Sequence, residues 1–583
     1  MDIFSVLALC GGIAVFLYGM TLMGESLEKS AGSSLKGFLE KVTSNPFKAV
    51  LLGLCVTSII QSSTATTVMV VGFVNSGIME LSQSIGVIMG ANIGTTVTAW
   101  LLSLTGIESG NPFIQMLNAK NLAYIVSVVG IVMFMMSSNS RKKDIGSIFI
   151  GFSLVIIGME LMSDSVAPLA EVPEFTNILT LFTNPILGIL MGAVLTAVVQ
   201  SSSASIGIMQ AIAATGSISY AAALPLIMGQ NIGTCLTSIL SSIGATKDAK
   251  RASVVHLVFN ISGTVVCLIV YYILRAFITP DMFDFTKPIN AAGIAVIHTS
   301  FNLFSTVVLF PFIKQFERFT YVIIKSENET EETELLDERF LLTPSVAISQ
   351  SKDLTHRMAQ IAKNSLCRSL DLMTDFDEVI GTEIRSDEEM VDHYEDKLGT
   401  YLVKLSRKSM SVEDSHEVSR LLHTIGDFER ISDHAVNILG VAEEVHTKKI
   451  EFSKEARHEV DVLSNAIREI LTNTVTAFEN EDLELAKKIE PLEQVIDRIK
   501  FKLKQRHITR LQNGECTIES GFIFSDFITN CERVADHCSN VAVCLIQVAE
   551  DSFDTHEYLQ NLRDHGDVSF DELYKMYKEK YSV

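Results

Sequence analysis

The sequence predicts an all-α protein in two parts: a polytopic helical membrane domain of two inverted repeats with re-entrant hairpins, then a charged helical domain on the cytoplasmic side. Three observations predict it. The first is charge distribution. The chain has 583 residues and a formal net charge of −22, yet residues 1–320 hold 15 basic and 15 acidic side chains, so the whole excess falls on 321–583. Long apolar stretches with scattered Gly, Ser and Thr fill the first part, as in membrane-spanning helices. The second part is charged, with heptad-like apolar spacing. An acidic half argues against a nucleic-acid partner.

The second observation is duplication. Gln61 of "QSST" and Gln200 of "QSSS" are 139 residues apart. "MGANIGTTVT" from Met89 and "MGQNIGTCLT" from Met228 keep that offset, as do Asn45-Pro46 with Asn184-Pro185 and "GMTLMGESL" from Gly19 with "GMELMSDSV" from Gly158. Four motifs in one register establish an internal repeat.

The third is loop charge. Residues 25–48 hold Lys29, Lys36, Lys41 and Lys48, while the equivalent 164–185 hold Asp164, Glu171 and Glu174 and no Lys or Arg. Near 105–118 only Glu108 is charged, against Lys247, Lys250 and Arg251 in the partner loop. Equivalent loops of opposite bias face opposite sides, so the repeats are inverted.

The elements follow in order. "MDIFSVLALCGGIAVFLYGM" lacks a positive n-region and a cleavage site, and reads as a retained first helix over 4–23, running inward. Residues 47–104 cross outward, 119–137 return to the basic loop at Arg141, and 145–163 run outward. Residues 186–243 cross inward, 252–277 outward and 290–313 inward, which leaves Lys314, Arg318 and 321–583 cytoplasmic. The divisions are 1–138 for the first repeat, 139–318 for the second plus an extra helix, 319–344 for an acidic linker, 345–550 for a helical domain and 551–583 for a tail. Nine Cys without a C-x-x-C pair argue against a disulfide framework.

Each stretch such as 47–104 is too long for one crossing. Asn45-Pro46 starts a helix, "QSST" breaks it, and a fresh apolar run turns back, which makes a hairpin. A helix starting after the break aims free N–H groups at the cavity, and the hydroxyls add donors, so the cluster suits an anion. Ser and Thr in membrane helices more often mediate packing. The glutamines and the duplication favour substrate binding by Gln61, Ser62, Ser63 and Thr64 with Gln200, Ser201, Ser202 and Ser203. All Lys and Arg of this half lie in loops or at helix ends, so a multiply charged anion needs a co-transported cation. Sodium with oxygen ligands from Gln61, Asn92, Thr95, Gln200, Asn231 and Thr234 meets that need; an interhelical hydrogen bond is the competing role for each Asn. "HLVFN" (His256, Asn260) and "HTSFN" (His298, Asn302) place His and Asn on one helix face, for which hydrogen-bonded packing is favoured over proton coupling. Glu80, Glu160 and Trp100 read as interfacial.

These paired clusters, the N-I-G-T segments and "HTSFNLFSTVVLFPF" at 298–312 resemble the type II sodium/phosphate cotransporter family over about residues 1–315. The resemblance implies sodium-driven phosphate uptake by alternating access, with both clusters holding phosphate and sodium, in a multi-pass protein of a bacterial plasma membrane. Rival readings are a phosphate exporter of the same fold and a membrane-anchored phosphate sensor. Without a Walker A, a G-x-S-x-G elbow or HExxH, an enzyme has no support.

The charged half is also duplicated. "ERISDH" at Glu429 matches "ERVADH" at Glu532, and "DHYED" at Asp392 aligns with "EQVID" at Glu493. The carboxylate pairs Asp392/Asp396, Glu429/Asp433, Glu493/Asp497 and Glu532/Asp536 are each four residues apart, on one helix face. A solitary pair of this kind is a solvated face; four, paired by repeat, make a metal cluster of Mg, Mn or Fe a serious candidate, with His434 and His537 as added nitrogen ligands. The pattern resembles PhoU domains over roughly 345–550, which implies two three-helix bundles, E/DxxxD metal clusters and regulation by phosphate status. Expected partners are phosphate, sodium and the lipid bilayer, with a homodimer and a phosphate-signalling protein as further candidates. "NET" at Asn328 is a sequon only in name on that side of the membrane.

Overall fold

The computed structural model describes residues 3–39, 45–104, 119–137, 139–168, 172–277, 284–325, 336–549 and 568–583. Glu108, Glu171, Asn328 and most of the expected tail fall outside them. Every element among the described residues is helical apart from one isolated bridge, Ser219 with Pro288. The chain divides into two compact units, 1–346 and 347–583.

The first unit opens with α1 (Ile3–Leu39). It runs well beyond the expected 4–23, because no proline interrupts it before Pro46. Helices α2 (Pro46–Ile60) and α3 (Ser63–Asn75) form the first hairpin, followed by α4 (Leu81–Ser103) and α5 (Ala119–Met136). The second repeat gives α6 (Ser140–Val166), a short α7 (Pro173–Leu181), the hairpin α8 (Pro185–Val199) and α9 (Ser202–Ala213), then α10 (Tyr220–Ser241) and α11 (Lys247–Phe277). The extra helix is α12 (Ala291–Leu309), and α13 (Ile313–Ile323) is amphipathic.

The hairpin helices have 15, 13, 15 and 12 residues, shorter than the ~20 a crossing needs. Among the described residues six stretches are long and apolar enough to cross: Ile3–Ser30, α4, α6, α10, α11 and Ala291–Ile323. This is a multi-pass membrane domain.

Each hairpin starts alike. Asn45 Oδ1 accepts from Phe47 N with Pro46 in the first turn, and Asn184 Oδ1 accepts from Ile186 N with Pro185. The first helix of each hairpin lies almost on the backbone of the long helix behind it. A Cβ on Gly90 would sit 1.9 Å from Val50 O, and one on its equivalent Gly229 would sit 2.0 Å from Ile189 O. Glu80 caps α4 in a reciprocal box with Gln83, and the exposed Trp100 donates from Nε1 to Thr299 Oγ1 at 2.9 Å.

The second unit contains most of α14 (Pro344–Leu372), then α15 (Glu378–Ser406), α16 (Val412–Thr447), α17 (Lys454–Asn480), a short α18 (Leu483–Ala486), α19 (Ile489–Gln512), α20 (Ile518–Ala549) and α21 (Val568–Lys580). Helices α14–α16 and α17, α19 and α20 form two bundles. Arg368 of α14 pairs with Glu383 of α15 at 2.9 Å, and Phe428 of α16 meets Phe478 of α17 edge-on at 5.1 Å. Within the expected tail, α21 packs on its neighbours: Lys580 pairs with Glu469 at 2.7 Å and Arg498 donates to Tyr574 at 3.1 Å. Within the expected linker, Phe340 is fully buried in the first unit.

Candidate functional site

The two polar clusters meet. Ser63 Oγ lies 3.2 Å from Ser202 Oγ, and both residues are buried. These residues are equivalents at the 139-residue offset, and contact between equivalents means a local two-fold axis passes between them. Gln61 and Gln200 each end a helix in the left-handed conformation, at φ 59° and 56°. Ser62 and Ser201 then cap the next helix, accepting from Ala65 N at 3.1 Å and Ala204 N at 3.2 Å. The chain therefore reverses within two residues and starts α3 and α9 head to head. Their first N–H groups have no acceptor within the helix, and both helix dipoles put positive ends at the same spot. Oriented amides, the Ser63 and Ser202 hydroxyls and low polarity around them can bind an oxyanion without any cationic side chain.

The two halves are not alike. Gln61 is buried: its Oε1 accepts from Thr98 Oγ1 of α4 at 2.8 Å and its amide donates to Ser58 O. Gln200 is exposed, and its counterpart of Thr98, Thr237, does not bond it. Thr57 donates to Thr66 at 3.1 Å in the first repeat. The equivalent Thr196 and Ser205 are fully buried, and neither hydroxyl has a partner. Gln230 stands where the first repeat has Ala91; its Nε2 donates to Ser205 O at 3.1 Å and its Oε1 is unpartnered. Thr196 packs against Gly233, one turn from Gln230. The second repeat thus holds three buried side-chain oxygens without a partner, on Thr196, Ser205 and Gln230. Sequence reasoning missed this set, although the Ala91/Gln230 mismatch between repeats was visible.

The expected sodium residues Asn92, Thr95, Asn231 and Thr234 are hydrogen-bonded within the membrane unit. Asn92 Nδ2 donates to Asn260 Oδ1 at 3.2 Å, and Asn231 Nδ2 to Asn302 Oδ1 at 2.7 Å. Thr95 and Thr234 bond back to the carbonyls of Ala91 and Gln230 at 3.0 Å. The asparagines thus tie α4 to α11 and α10 to α12. His256 packs by hydrogen bonding, with Nδ1 3.2 Å from Ser238 Oγ.

In the second unit α15 and α16 bring carboxylates face to face. Burial, then the nearby Asp433 and Asp392, raise the pKa of Glu388. Burial and Asp433 raise that of Glu429, and burial with Asp396 and Asp392 that of Glu395. Glu388 and Glu395 thus join Asp392, Glu429 and Asp433; the Glu388/Asp392 spacing was the missed signal. The other bundle is different. Lys500 of α19 ion-pairs with Glu532 and lies 3.5 Å from Asp497. Burial opposes the Lys500 charge, but the hydrogen bonds and charges of Glu532 and Asp497 together outweigh this and its pKa is raised. The residue aligned with Lys500 is Gly399, so the first cluster has no such ammonium. Among the described residues no group of three or more His, Cys, Asp or Glu side chains is arranged to hold a metal ion. The histidines are engaged elsewhere: His434 Nδ1 lies 2.8 Å from Asn530 Oδ1 and His537 Nδ1 2.9 Å from Asp427 Oδ1, reciprocal contacts between α16 and α20.

A duplicated membrane domain with paired helix N-termini at its two-fold, joined to a duplicated helical domain, defines a transporter-type protein with an attached helical module. The chain belongs to the Na+/Pi-cotransporter family, whose model matches residues 15–164 and 154–305, and it carries PhoU domains over 355–442 and 460–545. It is 23% identical over 568 residues to the Escherichia coli protein named "Putative inorganic phosphate export protein YjbB", covering 95% of this chain and 100% of that one. It is 42% identical to the sheep sodium-dependent phosphate transport protein 2A over 77 residues, 13% of this chain and 12% of that one. The crystal structure of PhoU from Pseudomonas aeruginosa aligns over 37% of this chain and all of its own, at 17% identity and a TM-score of 0.31.

Proposed function

We propose that the chain is a sodium-coupled phosphate transporter of a bacterial plasma membrane, with the helical domain on the cytoplasmic side as its regulator. The observation that carries this reading is the head-to-head meeting of α3 and α9 at Ser63 and Ser202. Phosphate binds there through the helix-start N–H groups and hydroxyls of Ser62, Ser63 and Thr64 and of Ser201, Ser202 and Ser203, with the side chains of Gln61 and Gln200 beside them. The sodium requirement follows from charge: no Lys or Arg side chain belongs to either hairpin break, so the anion's charge is met by a co-transported cation. Thr196, Ser205 and Gln230 supply further neutral oxygens of the kind sodium takes, beside Asn92 and Asn231, whose bonds to Asn260 and Asn302 use their Nδ2 donors. Alternating access uses the difference between halves: Gln61 is latched on Thr98 while Gln200 is free, and transport exchanges these roles.

Net export is the second reading, favoured by the name of the full-length Escherichia coli relative. Proteoliposomes with imposed sodium gradients of either sign decide it. Phosphate flux that follows the sodium gradient supports symport; flux indifferent to sodium rejects the coupling. The absence of flux in any gradient would leave a sensor.

A further inference from the structure

We infer that residues 336–343 form a strap that positions α3, and through it the phosphate site; this rests on the transport reading of Ser63 and Ser202. The strap ends where α14 begins at Pro344. Its anchor is Phe340, fully buried and tilted against Phe73 with ring centroids 5.0 Å apart. It sits on Gly72, where an added Cβ would come within 2.9 Å of the Phe340 ring. Asp337 is also buried, and its Oδ2 accepts from Asn75 Nδ2, the last residue of α3, at 2.8 Å. Asn75 Oδ1 accepts in turn from Thr246 N at 2.8 Å, ahead of α11. Arg339 pairs with Asp337 at 2.5 Å and donates to Ser241 O at the end of α10 at 2.7 Å. The strap therefore clamps the end of α3 to the α10–α11 corner.

The duplication supplies independent support. The residues that seat the strap are where the repeats diverge: Gly72, Phe73 and Asn75 are matched in the second repeat by Ala211, Ile212 and Ala214. Ala211 carries the Cβ that Gly72 must lack, and Ala214 cannot bridge two partners. The seat exists in one repeat only, whereas Ser63 and Ser202 at the other ends of these helices stay identical. A helix of 13 residues is about 20 Å long and moves as a rod, so a clamp at Asn75 sets the position of Ser63. Asp337 and Phe340 are positioning residues, and the chain that leads into the regulatory domain passes through them.

The test compares full-length wild type, Phe340→Ala and Phe340→Leu in nanodiscs, by hydrogen exchange over residues 61–75 and by the Kd for inorganic phosphate in sodium. Phe340→Ala should raise exchange across the whole segment and weaken phosphate by about fivefold or more. Phe340→Leu, which refills the seat, should restore both. Unchanged exchange in an inserted Phe340→Ala protein overturns the strap. Raised exchange with unchanged phosphate affinity overturns its positioning role. A wild type that binds no phosphate sinks the transport reading instead, and exchange at residues 61–66 then decides the strap alone: a rise sustains it and no change rejects it.

Discussion

Replacing Thr98 with valine removes one hydroxyl at the point where the two halves differ most. Thr98 Oγ1 donates to Gln61 Oε1 at 2.8 Å, and both side chains are buried. Valine keeps the shape and leaves the Gln61 oxygen without a donor. An orphaned buried acceptor costs about 1–3 kcal/mol. The left-handed backbone at Gln61 stores strain of its own, of order 1 kcal/mol or more, that the two side-chain bonds hold in place. The latched form should therefore lose about 5- to 150-fold in population against the released form. Steady-state phosphate transport in proteoliposomes reads this as a shift of at least about fivefold in half-saturating phosphate. Thr98→Ser keeps the donor and should stay near wild type. Thr237→Val, whose hydroxyl latches Gln200 only once the roles are exchanged, should shift the same equilibrium in the opposite direction. Equal transport by wild type and Thr98→Val would refute the latch.

Three further outcomes follow from the same geometry. Gly90→Ala and Gly229→Ala each force a Cβ into a backbone oxygen about 2 Å away, so each should block stable insertion or abolish transport, read by thermal melting of the purified chain and by flux. Lys500→Met strands Glu532 and Asp497; it should cost about 1.5–3 kcal/mol, with millimolar Mg²⁺ recovering part of the loss in a thermal melt of the full chain. Glu388, Glu395 and Glu429 have raised folded-state pKa values, so they take up protons on folding, and stability falls as pH rises from their unfolded through their folded values. Glu388→Gln should thus be more stable than wild type near about pH 7 and lose that advantage by about pH 4, by melting temperature across the range.

Much of the fold was legible because duplication multiplies weak signals. One apolar segment with "QSST" is ambiguous; two at a fixed offset define a hairpin, its helix ends and a shared axis, and the Ser63–Ser202 contact follows. Charge asymmetry separated the two halves for the same reason: it sums over hundreds of residues. What stayed hidden was departure from symmetry. Gln61 and Gln200 are the same residue in the same backbone conformation, and only tertiary packing makes one buried and the other exposed. Asn92 and Asn231 carry ligand-type oxygens, but the helices behind them present Asn260 and Asn302 as partners. The carboxylate ladders looked equivalent until Lys500, set against Gly399, gave one of them an internal cation. Residues 336–343 look like linker because a strap is held by a few contacts of high sequence separation, which no local pattern reports.

The central claim is that Ser63 and Ser202 form one phosphate site on a two-fold axis. The most direct measurement is phosphate binding and sodium-gradient-driven uptake by purified Ser63→Ala, Ser202→Ala and the double variant, each checked for insertion. Each single change removes a donor from the same anion and should weaken phosphate by about 1–3 kcal/mol, with the double variant costing less than the sum because one site is lost only once. Wild-type affinity and uptake in both single variants, or fully additive losses, would contradict it.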